Sequence, residues 1–343
     1  MGTEHAKQAI PGKEYIDPNE DRSIEKIIQA FKKRLSTYYA SGTTKRMFHP
    51  KMHGLIQAIF IIPEDLEEKY QHGLFKPGVQ YPCWIRFSNA KKKPDSDSKK
   101  DMRGMAIKLI GVPGTKLVEH QKNSRTQDFL LVTSKTLQTR SVHDFQKSLT
   151  ALMAGGIKLM WYALTHIPVV IRSVKQITTC NNLLETCFYS TTPYRFGNDE
   201  TIAVKYAVFP QANQSNSMPV EPTKNFLKKQ LASDLSHSDY YFNFMVQFQE
   251  NAQAMPIEDP TVEWSSPFIK LATIKIPKQH FTSSAQETYG ENLSFTPWHC
   301  IKEHQPIGGV NRARKAVYVA LAAFRHELNG TVDAEPTSIE NFN

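Results

Sequence analysis

Cysteine is scarce in this chain, with four in 343 residues, and none of the four (Cys83, Cys180, Cys187 and Cys300) stands in a Cys-x-x-Cys pair. That spacing argues against a zinc site and offers no disulfide framework. The opening residues, Met1-Gly-Thr-Glu-His-Ala-Lys-Gln, lack the apolar stretch of a secretory signal, so a reducing cytoplasm is the expected compartment. No internal repeat stands out, and no nucleic-acid motif accompanies the net charge of +9. The densest basic run, Ala90-Lys-Lys-Lys-Pro-Asp-Ser-Asp-Ser-Lys-Lys-Asp101, mixes both signs around a proline and reads as a solvated loop. The positive charge therefore favours anionic ligands or surfaces in general. Uninterrupted apolar runs are also missing. Leu149 to Ile171 is long enough to span a bilayer, but Gly155-Gly156, Lys158, His166 and Pro168 interrupt it. The spacing predicts two helices broken near Pro168, buried or lying over a ligand channel.

What is present suffices for a sizeable core, at 40% hydrophobic and 22% charged residues. Residues 1 to 20 are polar and carry Pro11 and Pro18, as an extended arm would. Ser23 can cap a helix whose apolar positions, Ile24, Ile27, Ile28, Phe31, Leu35 and Tyr38, form one stripe. That stripe must dock on something: the main body is expected, with peripheral membrane contact the alternative. From residue 55 the period changes to that of strands, at 55–62, 81–88, 104–110 and 128–133. A helical block follows over about 142–187, then strands at 202–209, 241–248 and 268–276. Strands, helices, strands, helix is an α+β order, with the strands expected to close into an antiparallel barrel. The domain reading is an arm and amphipathic helix over 1–44, a main domain over 45–330 and a tail over 331–343.

The last helix carries the most informative pattern. Asn311 to Leu328 is rich in Ala, Leu, Arg and Lys, with Gly330 just past its end. At about 100° per residue, Arg314, Tyr318 and Arg325 fall on one stripe. Such a stripe is either a wet polar face or the wall of a site for an anionic, planar ligand, because burying unpartnered charge is costly.

Met52-His53-Gly54, Arg86-Phe87-Ser88, Asp101-Met-Arg-Gly-Met-Ala-Ile-Lys108, Phe295-Thr-Pro297, Ile307-Gly-Gly309 and Arg314-x-x-x-Tyr318 occur in the order of counterparts in the haem catalase family. The chain resembles that family over about residues 45–330, without the C-terminal extensions of its large members. The resemblance implies haem b as cofactor, with Tyr318 as the axial iron ligand and Arg314 one turn away stabilising its phenolate; tyrosine ligation is the known catalase arrangement. Arg325 and Arg86 would pair with the propionates, a role suited to the guanidinium fork. His53 matches the distal histidine that moves a proton on the bound peroxide, and Ser88 the serine that holds its ring. A metal pair from His49 and His53, at i,i+4 spacing, lacks a third ligand.

Departures from the family pattern concern the distal side. The stretch Gln127 to Ser134 stands where catalases carry an asparagine amide, so Val132 or Thr133 takes that place; Thr133 could offer a hydroxyl, and Asn123 is a less apt substitute. Lys135-Thr-Leu-Gln replaces the aromatic residues that follow, and Met52 replaces a small channel residue. The implied function is a haem peroxidase or catalase-like enzyme acting on hydrogen peroxide or an organic hydroperoxide with an unidentified electron donor. Two alternatives remain: a fatty-acid hydroperoxide isomerase or lyase of the allene oxide synthase type, and a non-enzymatic haem-binding protein. A homo-oligomer, in the simplest case a dimer, is expected.

Overall fold

The protein is described by a computed structural model covering residues 9–91, 95–211 and 223–342. Part of the basic run, residues 92–94, lies outside the described residues. Nine strands form: β1 (Lys51–Ile61), β2 (Gln80–Asn89), β3 (Arg103–Ile110), β4 (Thr126–Val132), β5 (Phe188–Tyr189), β6 (Tyr194–Arg195), β7 (Ala203–Pro210), β8 (Tyr240–Phe248) and β9 (Phe268–Ile276). Every pairing among them is antiparallel. The order runs β4-β3-β2-β1-β9-β8-β7, and β5 pairs with both β4 and β7, which closes eight strands into a barrel; β6 continues outward from β7. The α+β barrel expected from the strand periods is therefore the observed architecture. The two-residue strands β5 and β6 are too short to leave a period.

Strand alternation sends one parity of side chains inward. Ile56, Ala58 and Phe60 of β1, Cys83, Ile85 and Phe87 of β2, and Met105, Ile107 and Leu109 of β3 all join one buried cluster. Phe60, Phe129 and Phe244 meet at its centre with ring centroids 4.8–6.4 Å apart. Each such side chain stabilises the fold by about 1.5–3 kcal/mol through burial, and together they leave the barrel solid. A ligand must therefore sit outside it, against the opposite parity.

Among the described residues seven α-helices surround the barrel: α1 (Glu20–Tyr38), α2 (Val142–Ala154), α3 (Gly156–Thr165), α4 (Ile167–Gln176), α5 (Phe226–His237), α6 (Ser284–Asn292) and α7 (Gly309–Asn329). Gly330, left-handed at φ +61°, terminates α7. Helix α1 begins at Glu20, so Ser23 lies inside it, 3.4 Å from His143, and does not cap it. Its apolar stripe, Ile24, Ile27, Phe31 and Leu35, is buried with Val142 and Leu149 of α2 and with Ala313, Val317 and Leu321 of α7. Of the two destinations open to that stripe, the main body is the one it takes. The arm and tail are likewise tied down. Arg312 of α7 holds Glu14 at 2.5 Å, Glu20 at 2.8 Å and Glu258 at 3.2 Å. Glu335 of the tail reaches the buried Lys108 at 2.7 Å.

The 142–187 block differs from expectation in two ways. It forms three helices, because positive φ at Gly155 and Gly156 (+62° and +48°) breaks the chain before His166 does, and it ends at Gln176. The apolar residues of its second and third helices are also left largely uncovered by the described residues. Helix α3 has no buried residue and α4 only Gln176. No described helix is long and apolar enough to cross a membrane.

Candidate functional site

The outward parity of the barrel builds one wall of a cavity. Register places Arg86 opposite Ala106, which is opposite Leu130, and Ser88 opposite Gly104, which is opposite Val132. These two cross-strand rows line a cavity of about 450 Å³, within the range of small-molecule and cofactor sites. The facing wall is α7, which contributes Ala313, Arg314, Val317, Tyr318, Leu321 and Arg325. The sequence stripe thus faces a cavity and not bulk water. Ile27 and Phe31 of α1 and Val142 and Phe145 of α2 close the remaining sides.

His49, just before β1, is the histidine of this cavity. Its backbone is left-handed, at φ +56°, a conformation uncommon outside glycine. Two contacts hold it there: Arg86 Nη1 donates to the His49 carbonyl at 3.0 Å, and Ser88 Oγ is hydrogen-bonded to His49 Nδ1 at 3.1 Å. Gly104 makes room for the ring, since a Cβ at that position would stand 2.5 Å from the imidazole. Burial, reinforced by the charges of Arg86 and Arg314, pushes the His49 pKa down from 6.5 to about 3, so the ring is neutral.

His53 lies elsewhere, which corrects its expected placement. It occupies the bulge where the β1–β2 register shifts between Met52 and Gly54. Fully buried, its Nε2 donates to Asn89 Oδ1 at 2.6 Å and its Nδ1 stands 3.9 Å from Asp97. Asn89 and Asp97 continue this network to Arg103 and Lys51. Burial, partly offset by Asp97, lowers the His53 pKa to about 4. The ring is a component of the barrel wall, outside the cavity. His49 and His53 therefore face different surroundings, and no cluster of three or more His, Cys, Asp or Glu residues that could hold a metal ion occurs among the described residues.

Thr133 is also displaced from its expected role. Its Oγ1 accepts the Arg103 backbone N–H at 3.1 Å, and Val132 is the residue lining the cavity. Asn123 is exposed in a loop, and Met52 packs toward Gly290, so neither reaches the cavity. Leu137 and Gln138 do line it.

Three guanidiniums gather at one end. Arg46 Nη2 donates to the Gly290 carbonyl at 3.1 Å and Arg325 Nη2 to the Asn292 carbonyl at 3.1 Å, both at the C-terminal end of α6, where cations suit the helix dipole. Glu291 lies 3.7 Å from Arg46 and 3.9 Å from Arg86, and Asp333 is a second carboxylate whose charge acts on Arg46 and Arg325, so two anions face three cations. Arg46 Nη1 and Arg86 Nε and Nη2 have no hydrogen-bond partner although buried. Burial and mutual repulsion push Arg86 well below the usual guanidinium range and Arg325 down to about 9. Such a cluster asks for further anions. Farther along α7, Arg314 stands 5.4 Å from the Tyr318 ring and bonds Thr192 at 3.1 Å and Asn311 at 3.2 Å. Sequence reasoning brought Arg86, Ser88, Arg314, Tyr318 and Arg325 to one cavity; it missed Arg46 and His49. The spacing Arg46-x-x-His49 ahead of a strand was the available signal.

An eight-stranded antiparallel barrel with a cavity between its outer wall and a long C-terminal helix is the catalase fold. Solved catalases superimpose on the chain. A bacterial catalase matches with TM-score 0.66 at 15% identity, covering 99% of this chain and 69% of its own length. A fungal catalase matches at 0.64 and 16%, covering 85% and 61%, and catalase A of Saccharomyces cerevisiae at 0.66 and 16%, covering 85% and 63%. The chain thus spans 61–69% of the length of these structures. No family model and no curated protein matches it.

Proposed function

We propose that the protein is a haem b-dependent enzyme acting on a peroxide. The observation that carries this reading is the content of one cavity: Tyr318 with Arg314 on the helix wall, His49 with Ser88 on the barrel wall, and at one end Arg325 beside two under-partnered arginines, Arg46 and Arg86. A ligand bearing two carboxylates at one edge and an oxyphilic centre at its middle fits that arrangement. Tyr318 and Arg325 are seven residues apart, about 10 Å along the helix, so one rigid planar molecule can reach both. Haem b, when bound, supplies the redox chemistry that cleaves a peroxide O–O bond.

The chain's own residues have separable roles in this reading. Tyr318 would hold the haem iron through its phenolate, and Arg314 would stabilise that anion. Arg46, Arg86 and Arg325 would pair with the carboxylates of the bound group. With Nδ1–H donated to Ser88, the neutral His49 keeps Nε2 as a base. It takes the hydroperoxide proton and returns it to the departing oxygen, a contribution of about 10²–10⁴-fold. Arg86 acts twice, through a propionate and through the carbonyl that fixes His49. His53, the distal histidine implied by the resemblance, is instead a structural residue.

A second reading is favoured by Val132. It occupies the row of Ser88 and Gly104 where an amide donor would face the peroxide, and most of the wall beside it is apolar. That wall suits an organic hydroperoxide better than hydrogen peroxide, and it leaves open rearrangement of a fatty-acid hydroperoxide in place of its reduction. Incubating the haem-loaded protein with hydrogen peroxide and with a polyunsaturated fatty-acid hydroperoxide, with and without an electron donor, tests the proposal. Donor-dependent alcohol formation supports the peroxidase, and donor-independent epoxide or aldehyde formation the rearrangement. No consumption of either peroxide would overturn the enzymatic reading and leave a haem-binding protein.

A further inference from the structure

Helices α3 and α4 carry two matching apolar stripes that no described part of the chain covers. On α3, Ile157, Met160, Trp161 and Leu164 follow helical spacing and are 59–79% exposed. On α4 the same i, i+3, i+4, i+7 spacing recurs from Ile167 to Val174, at 38–61% exposure. Single exposed apolar residues are ordinary, but eight at helical spacing on two consecutive ten-residue helices are the kind of apolar patch that marks an interaction surface. Basic residues accompany them. Lys147, Lys158 and Lys175 are exposed, and Asp144 is the sole acid between residues 142 and 177.

We propose that the α3–α4 hairpin docks the protein onto an anionic lipid bilayer surface, lying in the interface without crossing it. Ten-residue helices are far too short to span, whereas an apolar stripe flanked by lysines is what interfacial insertion requires. Charge favours an anionic surface over a second copy of the chain, because a second copy would present the same lysines and no acid on α3 or α4 to pair with them. The hairpin also reaches the cavity wall. Arg172 of α4 donates to the Gln138 carbonyl at 2.7 Å, and Gln138 and the neighbouring Val142 line the cavity. Resting on the peroxide reading, this placement sets the cavity beside a membrane and identifies the substrate class as a lipid hydroperoxide entering from it.

Trp161 reports on the docking. It is 68% exposed, while Trp84, Trp264 and Trp298 are buried. Full-length protein is mixed with vesicles of phosphatidylcholine alone or with phosphatidylglycerol added, and sedimentation and tryptophan emission are recorded. Binding to the anionic vesicles, with a blue shift and with weakening as salt screens the lysines, is expected. A Trp161→Glu/Ile171→Glu variant, altered only at exposed positions, should keep its melting temperature and bind at least about tenfold less. Absence of binding to either vesicle overturns the proposal. So does a dimer in solution that the double variant dissociates without any vesicle binding, which would make the patch a subunit interface. None of these readouts involves haem or peroxide, so failure here leaves the peroxide reading standing, and the reverse holds equally.

Discussion

Replacing His49 and His53 one at a time tests the proposal that the first is catalytic and the second structural. His49→Gln removes the only imidazole in the cavity among the described residues and should lower the rate of peroxide reaction by about 10²–10⁴-fold, or about 2.7–5.5 kcal/mol of barrier. Its effect on stability should be small, because one hydrogen bond to Ser88 is worth about 0.5–1.5 kcal/mol and a glutamine can restore part of it. His53→Leu inverts the pattern. It removes the partner of Asn89 at 2.6 Å inside a fully buried network that includes Asp97 and Arg103. Groups left unsatisfied there cost about 1–3 kcal/mol, with the rate per haem-loaded molecule changing less than about threefold. Stopped-flow mixing with a hydroperoxide gives the rates, and chemical denaturation of the same samples gives the stabilities. A His53→Leu enzyme that is as stable as wild type but has lost its rate, beside an active His49→Gln enzyme, would refute the assignment.

Three further outcomes follow from the same geometry. Gly104→Ala should displace the His49 ring, since its Cβ would sit 2.5 Å away, and should lower the peroxide rate while haem absorbance is kept; an unchanged rate would show that the ring has room. Buried histidines with lowered pKa bind fewer protons folded than unfolded, so stability should fall as pH drops from about 6.5 toward 3–4. At pH 5 each contributes about 2 kcal/mol of that loss. The pH 7 to pH 5 difference in unfolding free energy should therefore shrink by about 2 kcal/mol in His53→Leu, and equal differences in the two proteins would contradict the burial account. Phe60→Ala should destabilise by about 3–5 kcal/mol, read by denaturation, because it empties the centre of a solid barrel; a loss under about 1 kcal/mol would mean the barrel interior is not packed as described.

The strands of the barrel were legible because alternation carries its own signal, and α7 because Arg314, Tyr318 and Arg325 keep helical spacing up to Gly330. The distal side was not legible, for reasons that lie in the backbone. A bulge at His53 and a left-handed residue at His49 decide which histidine reaches the cavity, and neither leaves a period in the sequence. Gly54 after His53 imitated the family spacing, while the pairing of Ser88 with His49 depends on a turn that composition does not describe. Val132 against Thr133 was likewise a question of register, answered only by the pairing of Gly104 with Val132. The α3–α4 segment read from its sequence as helices broken near Pro168, buried or lying over a ligand channel; its apolar stripes are exposed instead.

Everything proposed for the cavity between the barrel and α7 depends on Tyr318 binding a haem iron there. Titrating haem into the purified protein and into Tyr318→Phe, with optical spectra recorded at each addition, tests it most directly. Stoichiometric uptake with a high-spin ferric tyrosinate spectrum is expected in the wild type, and loss of that spectrum in the variant. Identical spectra from both proteins, or no specific uptake by either, would contradict it.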